Sequence, residues 1–300
     1  MPKDRPLRDE PVRQWRTGLQ HTTVHHAEDG WFTWSLRAGS AAPPRPAPRL
    51  SSLDSWRALP GLAVARQDGS ALSYRAPGST SLAQAFLDGT GDGVLDAVER
   101  AGALLRTAHD APVPAAARAW PSPAVIRLLH GTSPQFAPTR LHARMQAVLG
   151  RRRCERLRSW AAEPPSDGSD EVLLHGSATP RAVVVSGDSR CTLRIGADCV
   201  TGDRSWDLEW FLASLFELCA GTEPSIGLHT GTSYRQAHEA LITGYGRELP
   251  ATAGPVAVLG VLGHVHDFAA YVGWSDELDD YLRASAQLID EAGAQIVSPA

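Results

Sequence analysis

Three hundred residues, 43% of them hydrophobic and nine of them tryptophan, can bury a full core, and the length favours two lobes over one. A formal net charge of −4 with acidic and basic residues interspersed leaves no basic footprint for nucleic acid. No run of about 18 apolar residues occurs, and the charged start MPKDRPLRDE lacks the apolar stretch of a signal peptide, so a cytoplasmic protein with no membrane partner is expected.

Residues 1–17 read as an extended leader. From Gly18, the runs LQHTTVHH and WFTWSLR flank a turn at Glu28-Asp29-Gly30, which is a hairpin signal. The proline-rich stretch 39–48 reads as a connecting loop. SSLDSWRAL (51–59) has helical spacing with Leu53, Trp56 and Leu59 on one side and Ser51 or Ser52 as N-cap, and Pro60-Gly61 ends it. LAVARQD and SALSYRA follow as a second pair of strands around Gln67-Asp68-Gly69. Residues 18–76 therefore form a small β-rich lobe with one helix.

Beyond Pro77-Gly78 the pattern becomes helical: SLAQAFLD, then 93–110, where apolar residues recur at three and four. A Pro/Ala connection (111–123) leads to further helices through about Trp160. A loop at 163–170 delivers the chain to EVLLHGS and RAVVVSGDSRCTLRIGAD, short β-rich runs around Gly187-Asp188. Helices return at SWDLEWFLASLFELCAG, SYRQAHEALITGYGREL and DELDDYLRASAQLIDEAG, with a Gly- and Val-rich stretch at 254–268 that suits either helix or strand. The whole is an α+β arrangement: a small β-rich lobe, then a mainly helical lobe over 77–300 with a hairpin embedded at 173–200.

The four cysteines (Cys154, Cys191, Cys199, Cys219) form no C-x-x-C pair and suit reduced, buried thiols. The basic run Arg151 to Arg158 reads as a solvated helix face, with a docking site for an acidic partner as the sharper alternative. His25-His26 and the pair His264 and His266 lack an obvious third ligand, which favours ordinary histidines over a metal site. Trp31 and Trp34 flank a strand and suit core packing better than ligand stacking. Ser177 lies outside any Gly-x-Ser-x-Gly elbow, which argues against a nucleophile based on His175 or His109. Lys3 is the only lysine, and the chain has no asparagine. Such usage resembles that of a GC-rich bacterial genome, but its chemical consequence stands whatever the cause.

The segment 173–210, LLHGSATPRAVVVSGDSRCTLRIGADCVTGDRSWDLEW, resembles the signature of aminoglycoside phosphotransferases and choline-kinase-like enzymes. His175, Gly176, Pro180, Gly202, Asp203, Arg204, Trp206, Asp207 and Leu208 fall on that pattern. Weaker similarities at GLQHTTVHHAEDGWFTWSLR, SALSYRAPGSTSL, AGALLRTAHD and ALITGYGRELP extend the resemblance over 12–290. It implies a two-lobed protein-kinase-like fold with a nucleotide cleft between the lobes, near Arg37, Tyr74 and Ala76.

Phosphoryl transfer needs a cation on the phosphates, divalent metal held by acidic or amide oxygens, and a carboxylate for the attacking hydroxyl. By the resemblance, the catalytic carboxylate falls on Ser177, the metal-binding amide on Ala182 and the metal-binding carboxylate on Gly196, with Asp198 two residues on as a substitute. The phosphate cation falls on Arg37 and its helix partner on Ser52, with Asp54 badly placed to replace it. His175, Asp203, Ser205 and Asp207 are expected to be scaffolding: helix caps and braces of a vestigial loop. No catalytic residue, metal or cofactor is therefore expected, and the implied function is that of a degenerate kinase, a pseudokinase, binding a peptide or protein partner. The family resemblance suggests a setting in actinobacterial modified-peptide biosynthesis, such as thioamitide or class V lanthipeptide pathways, with a precursor peptide or a lyase as partner. The alternative is an active phosphotransferase that uses Mg-ATP on a hydroxyl, with Asp198 and Asp203 on metal and Arg37 on phosphate.

Overall fold

Alternating burial along successive runs builds the first sheet. Strands β1 (Arg13–Arg16), β2 (Gln20–His26) and β3 (Phe32–Ala38) pair antiparallel, followed by a 3-10 helix (Leu50–Ala58) and strands β4 (Leu62–Val64), β5 (Arg66–Asp68) and β6 (Ala71–Ala76). The five-stranded order is β1-β2-β3-β6-β5. In register, Val24, Trp34 and Tyr74 lie side by side, so they share the inner face with Leu36, Leu72, Phe32 and Ala76. The computed structural model describes residues 10–43, 50–89, 93–112, 122–133, 135–163, 171–187, 190–196, 198–220 and 232–299. The start of the leader, most of the proline-rich connector, 113–121, 164–170 and Asp188 lie outside them, as does the side chain of Ser52.

Two boundaries differ from the sequence reading. The last residues of the expected leader form β1, because Trp15 stacks on Trp34 with ring centroids 5.9 Å apart. LAVARQD is not one strand: its apolar half, β4, leaves the small sheet and pairs in parallel with a strand of the other lobe.

That partner belongs to the second lobe, which opens with β7 (Thr80–Ser81), α1 (Leu82–Leu87), α2 (Val94–His109), α3 (Pro123–His130) and α4 (Phe136–Ala162). Ser81 caps α1 by accepting the Gln84 N–H. Then come β8 (Glu171–Leu174), β9 (Val183–Val185), β10 (Cys191–Ile195) and β11 (Val200–Asp203), and helices α5 (Ser205–Ala220), α6 (Tyr234–Tyr245), α7 (Pro255–Tyr271), α8 (Glu277–Asp290) and α9 (Ala294–Val297). The Gly- and Val-rich stretch is thus helical, and buried on nearly every side. The second sheet runs β4-β10-β9-β7 and joins the lobes, while β11 and β8 form a separate pair. The main core crosses the seam, since Leu53 and Trp56 of the 3-10 helix pack with Val183, Leu193 and Ile195. The expected two-lobed α+β architecture is therefore the one adopted. No helix among the described residues is long and apolar enough to cross a membrane.

Part of the basic run on α4 is committed internally. Arg153 holds Asp290 of α8 through two nitrogens, at 2.9 and 2.6 Å, and Arg156 reaches the Asp290 carbonyl. Arg151 and Arg152 remain exposed.

Helices α2 and α6 cross at van der Waals closeness because each has a glycine at the crossing. A Cβ on Gly102 would strike the Leu241 carbonyl, and one on Gly244 the Glu99 carbonyl. Gly244→Ala should cost about 2 kcal/mol or more, since backbone cannot yield as a side chain can. Denaturant unfolding measures this, and a loss below about 0.5 kcal/mol would contradict the packing described.

Candidate functional site

The loop after β8 is held by one carboxylate. Asp207, in the first turn of α5, accepts the backbone N–H groups of His175 (2.6 Å) and Gly176 (3.0 Å), and lies 3.1 Å from Nε2 of His109 at the end of α2. An ionised Asp207 can only accept, so Nε2 carries a proton, and Nδ1 lies 2.9 Å from the Tyr245 hydroxyl. Burial by itself would raise the Asp207 pKa. The hydrogen bond and charge of His109, with the charge and N–H of His175, outweigh it and hold the pKa below the usual carboxylate value. His175 also places Nε2 at 2.7 Å from the Arg194 carbonyl, tying the loop to β10. The bracing expected of His175 and Asp207 is what the geometry shows.

The positions that would carry phosphoryl-transfer chemistry are differently occupied. Ser177 donates its hydroxyl to Asp198 Oδ2 at 2.9 Å. Asp198 comes this close because Gly176, at φ 80°, lets the Asp198 carbonyl lie where a Cβ would be. Ala182 is buried and contributes only its backbone, in the turn to Thr179. A Cβ on Gly196 would stand 2.5 Å from the Tyr74 hydroxyl and 3.1 Å from the Ala65 Cβ, so a side chain at the position of the family's metal carboxylate would force its neighbours to shift. Asp203 is buried and accepts the Ser205 N–H at 2.9 Å at the start of α5, the helix-starting role expected of it. Asp198 and Asp203 are each engaged with neighbouring protein groups, and neither Ala182 nor Gly196 offers a side-chain oxygen. The residues present do not fit the pair of divalent ions that kinase chemistry uses. Among the described residues no three His, Cys, Asp or Glu side chains gather as a metal site elsewhere.

Between the small sheet and the β9–β10 hairpin the cleft is filled by the chain itself. Val24, Trp34, Tyr74 and Ala76 form one cluster with Ala63 and Ala65 beside β4 and with Val184 of β9. Tyr74 and Ala76, expected at the nucleotide, do lie here, but as buried packing groups. The Trp34 indole N–H donates to the Gly78 carbonyl at 2.9 Å, in the segment joining the lobes. Arg194 enters from β10, its guanidinium carbon 4.6 Å from the Trp34 ring centroid and 5.5 Å from that of Tyr74. On the neighbouring edge, the β1–β2 turn meets the end of α7, where the Gly18 N–H donates to the Tyr271 carbonyl at 3.1 Å.

Arg37 requires correction. It lies opposite His21 in the register, on the outer face of the sheet, and is exposed, whereas the inward residue beside it is Leu36. Strand alternation settles this: Trp34 and Leu36 face in, so Arg37 faces out. On the 3-10 helix, Arg57 pairs with Asp54 and donates to the carbonyls of Val64 and Ala65, bracing β4.

Sequence reasoning missed Arg194, Tyr245 and Glu209, and gave His109 no bracing role. Glu209 is buried and accepts N–H groups of Gly254, Val256 and Ala257 on one oxygen, with the Ser205 hydroxyl on the other, thereby anchoring the N-terminus of α7. The two histidines of α7 are separately engaged: His264 faces Glu217 at 3.0 Å, and His266 lies 2.7 Å from the Ser133 hydroxyl. All four cysteines are free, and burial raises the pKa of each.

No protein-family profile matches the sequence, and no curated protein matches it. Solved structures do match in fold. A spectinomycin phosphotransferase in complex with ADP and spectinomycin aligns at TM-score 0.55 and 10% identity, over 93% of this chain and 92% of that one. A choline/ethanolamine kinase family protein from Mesorhizobium loti aligns at TM-score 0.55 and 15% identity, over 93% and 87%. An ethanolamine kinase from Plasmodium vivax aligns at TM-score 0.58 and 9% identity, over 96% and 84%. The chain has the fold of these phosphotransferases.

Proposed function

We propose that this chain is a pseudokinase: a kinase-like fold that binds a peptide or protein partner and transfers no phosphate. The observation that carries the reading is the filled cleft. Trp34, Tyr74, Val184 and Arg194 occupy the space between sheet and hairpin, while Ser177, Ala182 and Gly196 supply no metal-holding or proton-accepting oxygen in the loops beneath. The braces around Asp207 are intact, so the frame is preserved without its chemistry.

Partner binding is supported by what the chain leaves unsatisfied. Phe268 and Val272, 36% and 63% exposed, stand one turn apart near the end of α7, on either side of Tyr271 at the edge of the cleft. Four free thiols suit a reducing cytoplasm.

The test is restoration. Ser177→Asp should remain without phosphotransferase activity towards water, small hydroxyl acceptors or seryl peptides in the presence of Mg-ATP. One carboxylate cannot replace the absent metal ligands or clear the cleft. Robust turnover from that single change would sink the reading.

A further inference from the structure

Arg194 presents a charge problem inside the cleft. As a residue it is half-buried, yet its Nε and Nη1 atoms lie out of reach of solvent and have no hydrogen-bond partner. Only Nη2 is engaged, donating to the Arg181 carbonyl at 2.5 Å. Among the described residues no carboxylate forms an ion pair with Arg194. The nearby Arg181 adds positive charge, which Asp267 of α7 opposes. A buried guanidinium with two idle donors is costly unless an anion meets it.

We propose that Arg194, flanked by the faces of Trp34 and Tyr74, is the receptor for a carboxylate carried by the partner, an acidic side chain or a chain terminus. This deepens the partner-binding reading and rests on it. One guanidinium calls for one anion, and a planar carboxylate suits the space between two aromatic faces better than a tetrahedral phosphate does. The aromatic faces leave the edges of the guanidinium as its polar outlets, and carboxylates approach guanidinium edges in the plane. Access requires the lobes to part on the side where the β1–β2 turn meets α7. The Gly18 N–H to Tyr271 carbonyl hydrogen bond is released in that opening, and the guanidinium–carboxylate contact offsets its cost. Burial pushes the Arg194 pKa down to about 10, which still leaves it charged at neutral pH.

The experiment is a thermal-shift and calorimetric titration at constant ionic strength, with sodium acetate, inorganic phosphate and sodium chloride as probes. The wild-type protein should show saturable stabilisation by acetate, with phosphate no better and chloride inert. Arg194→Met should weaken acetate binding about tenfold or more, while Arg194→Lys, which keeps the charge, should retain part of it. Arg194→Met removes an uncompensated buried charge, so it should melt no lower than wild type, and that melt confirms that the variant folds. No acetate effect, or an equal one in Arg194→Met, overturns the carboxylate site. If Mg-ATP is also silent, the pseudokinase reading survives that failure. Mg-dependent ATP binding that disappears in Arg194→Met overturns both, because the arginine would then be a nucleotide-phosphate ligand.

Discussion

Asp207→Ala should destabilise the fold by about 3–5 kcal/mol, among the largest single losses this chain can show, because it strips the acceptor from three donors at once, two of them buried. The N–H groups of His175 and Gly176 and the Nε2 proton of His109 all end on that carboxylate. Water cannot replace it, since the Asp207 and His109 side chains are 3% and 0% exposed. Asp54→Ala, which removes an exposed carboxylate from its pair with Arg57, should cost only about 0.5 kcal/mol. Denaturant unfolding of the two variants side by side measures the contrast, and equal losses would contradict the bracing role. The pH dependence has a definite sign. The folded-state pKa of Asp207 is depressed, so its contribution is present above the unfolded value of 3.8 and is lost as pH falls through the folded value.

Glu209 should behave in the opposite way. Burial pushes its pKa up to about 7, against the pull of the Gly254, Ala257, Ser205 and Val256 donors. The folded protein therefore holds a proton that the unfolded chain releases above about pH 4.5. Its contribution to stability is complete below that pH and is lost as pH rises through 7, at up to about 1.4 kcal/mol per pH unit. Glu209→Ala should cost about 3 kcal/mol or more by orphaning the α7 amides. Glu209→Gln mimics the protonated acid: its carbonyl accepts the same amides and its NH₂ faces the Ser205 hydroxyl. It should match wild type at pH 5 to within about 1 kcal/mol and exceed it at pH 8. Melting curves at pH 5, 6, 7 and 8 decide this, and a wild-type profile that rises over that window would refute the assignment.

Much of this fold could be read from residue order, for identifiable reasons. The β2–β3 hairpin follows from two β-rich runs around the Glu28-Asp29-Gly30 turn, and α2 from apolar spacing that continues to His109. Strand β4 could not be read, because Leu62–Val64 finds its partner in β10, about 130 residues on, and only tertiary packing selects it. The Gly- and Val-rich stretch of α7 is apolar on all sides, so no period distinguishes helix from strand there. In the site, Ser177, Ala182 and Gly196 could be read by position, and so could the bracing Asp207. Arg194 could not: between Leu193 and Ile195 it looks like the solvent-facing residue of an edge strand, yet β10 is central and both its faces are covered. Glu209 was hidden in the same way, as an acid in a mostly apolar helix two residues after Asp207.

Calorimetric titration of the full chain with Mg-ATP tests the central claim most directly. A cleft filled by Trp34, Tyr74, Val184 and Arg194 predicts no saturable heat up to a nucleotide concentration of about 1 mM, with or without magnesium. Micromolar, magnesium-dependent binding would show that these side chains yield to nucleotide and would contradict the account.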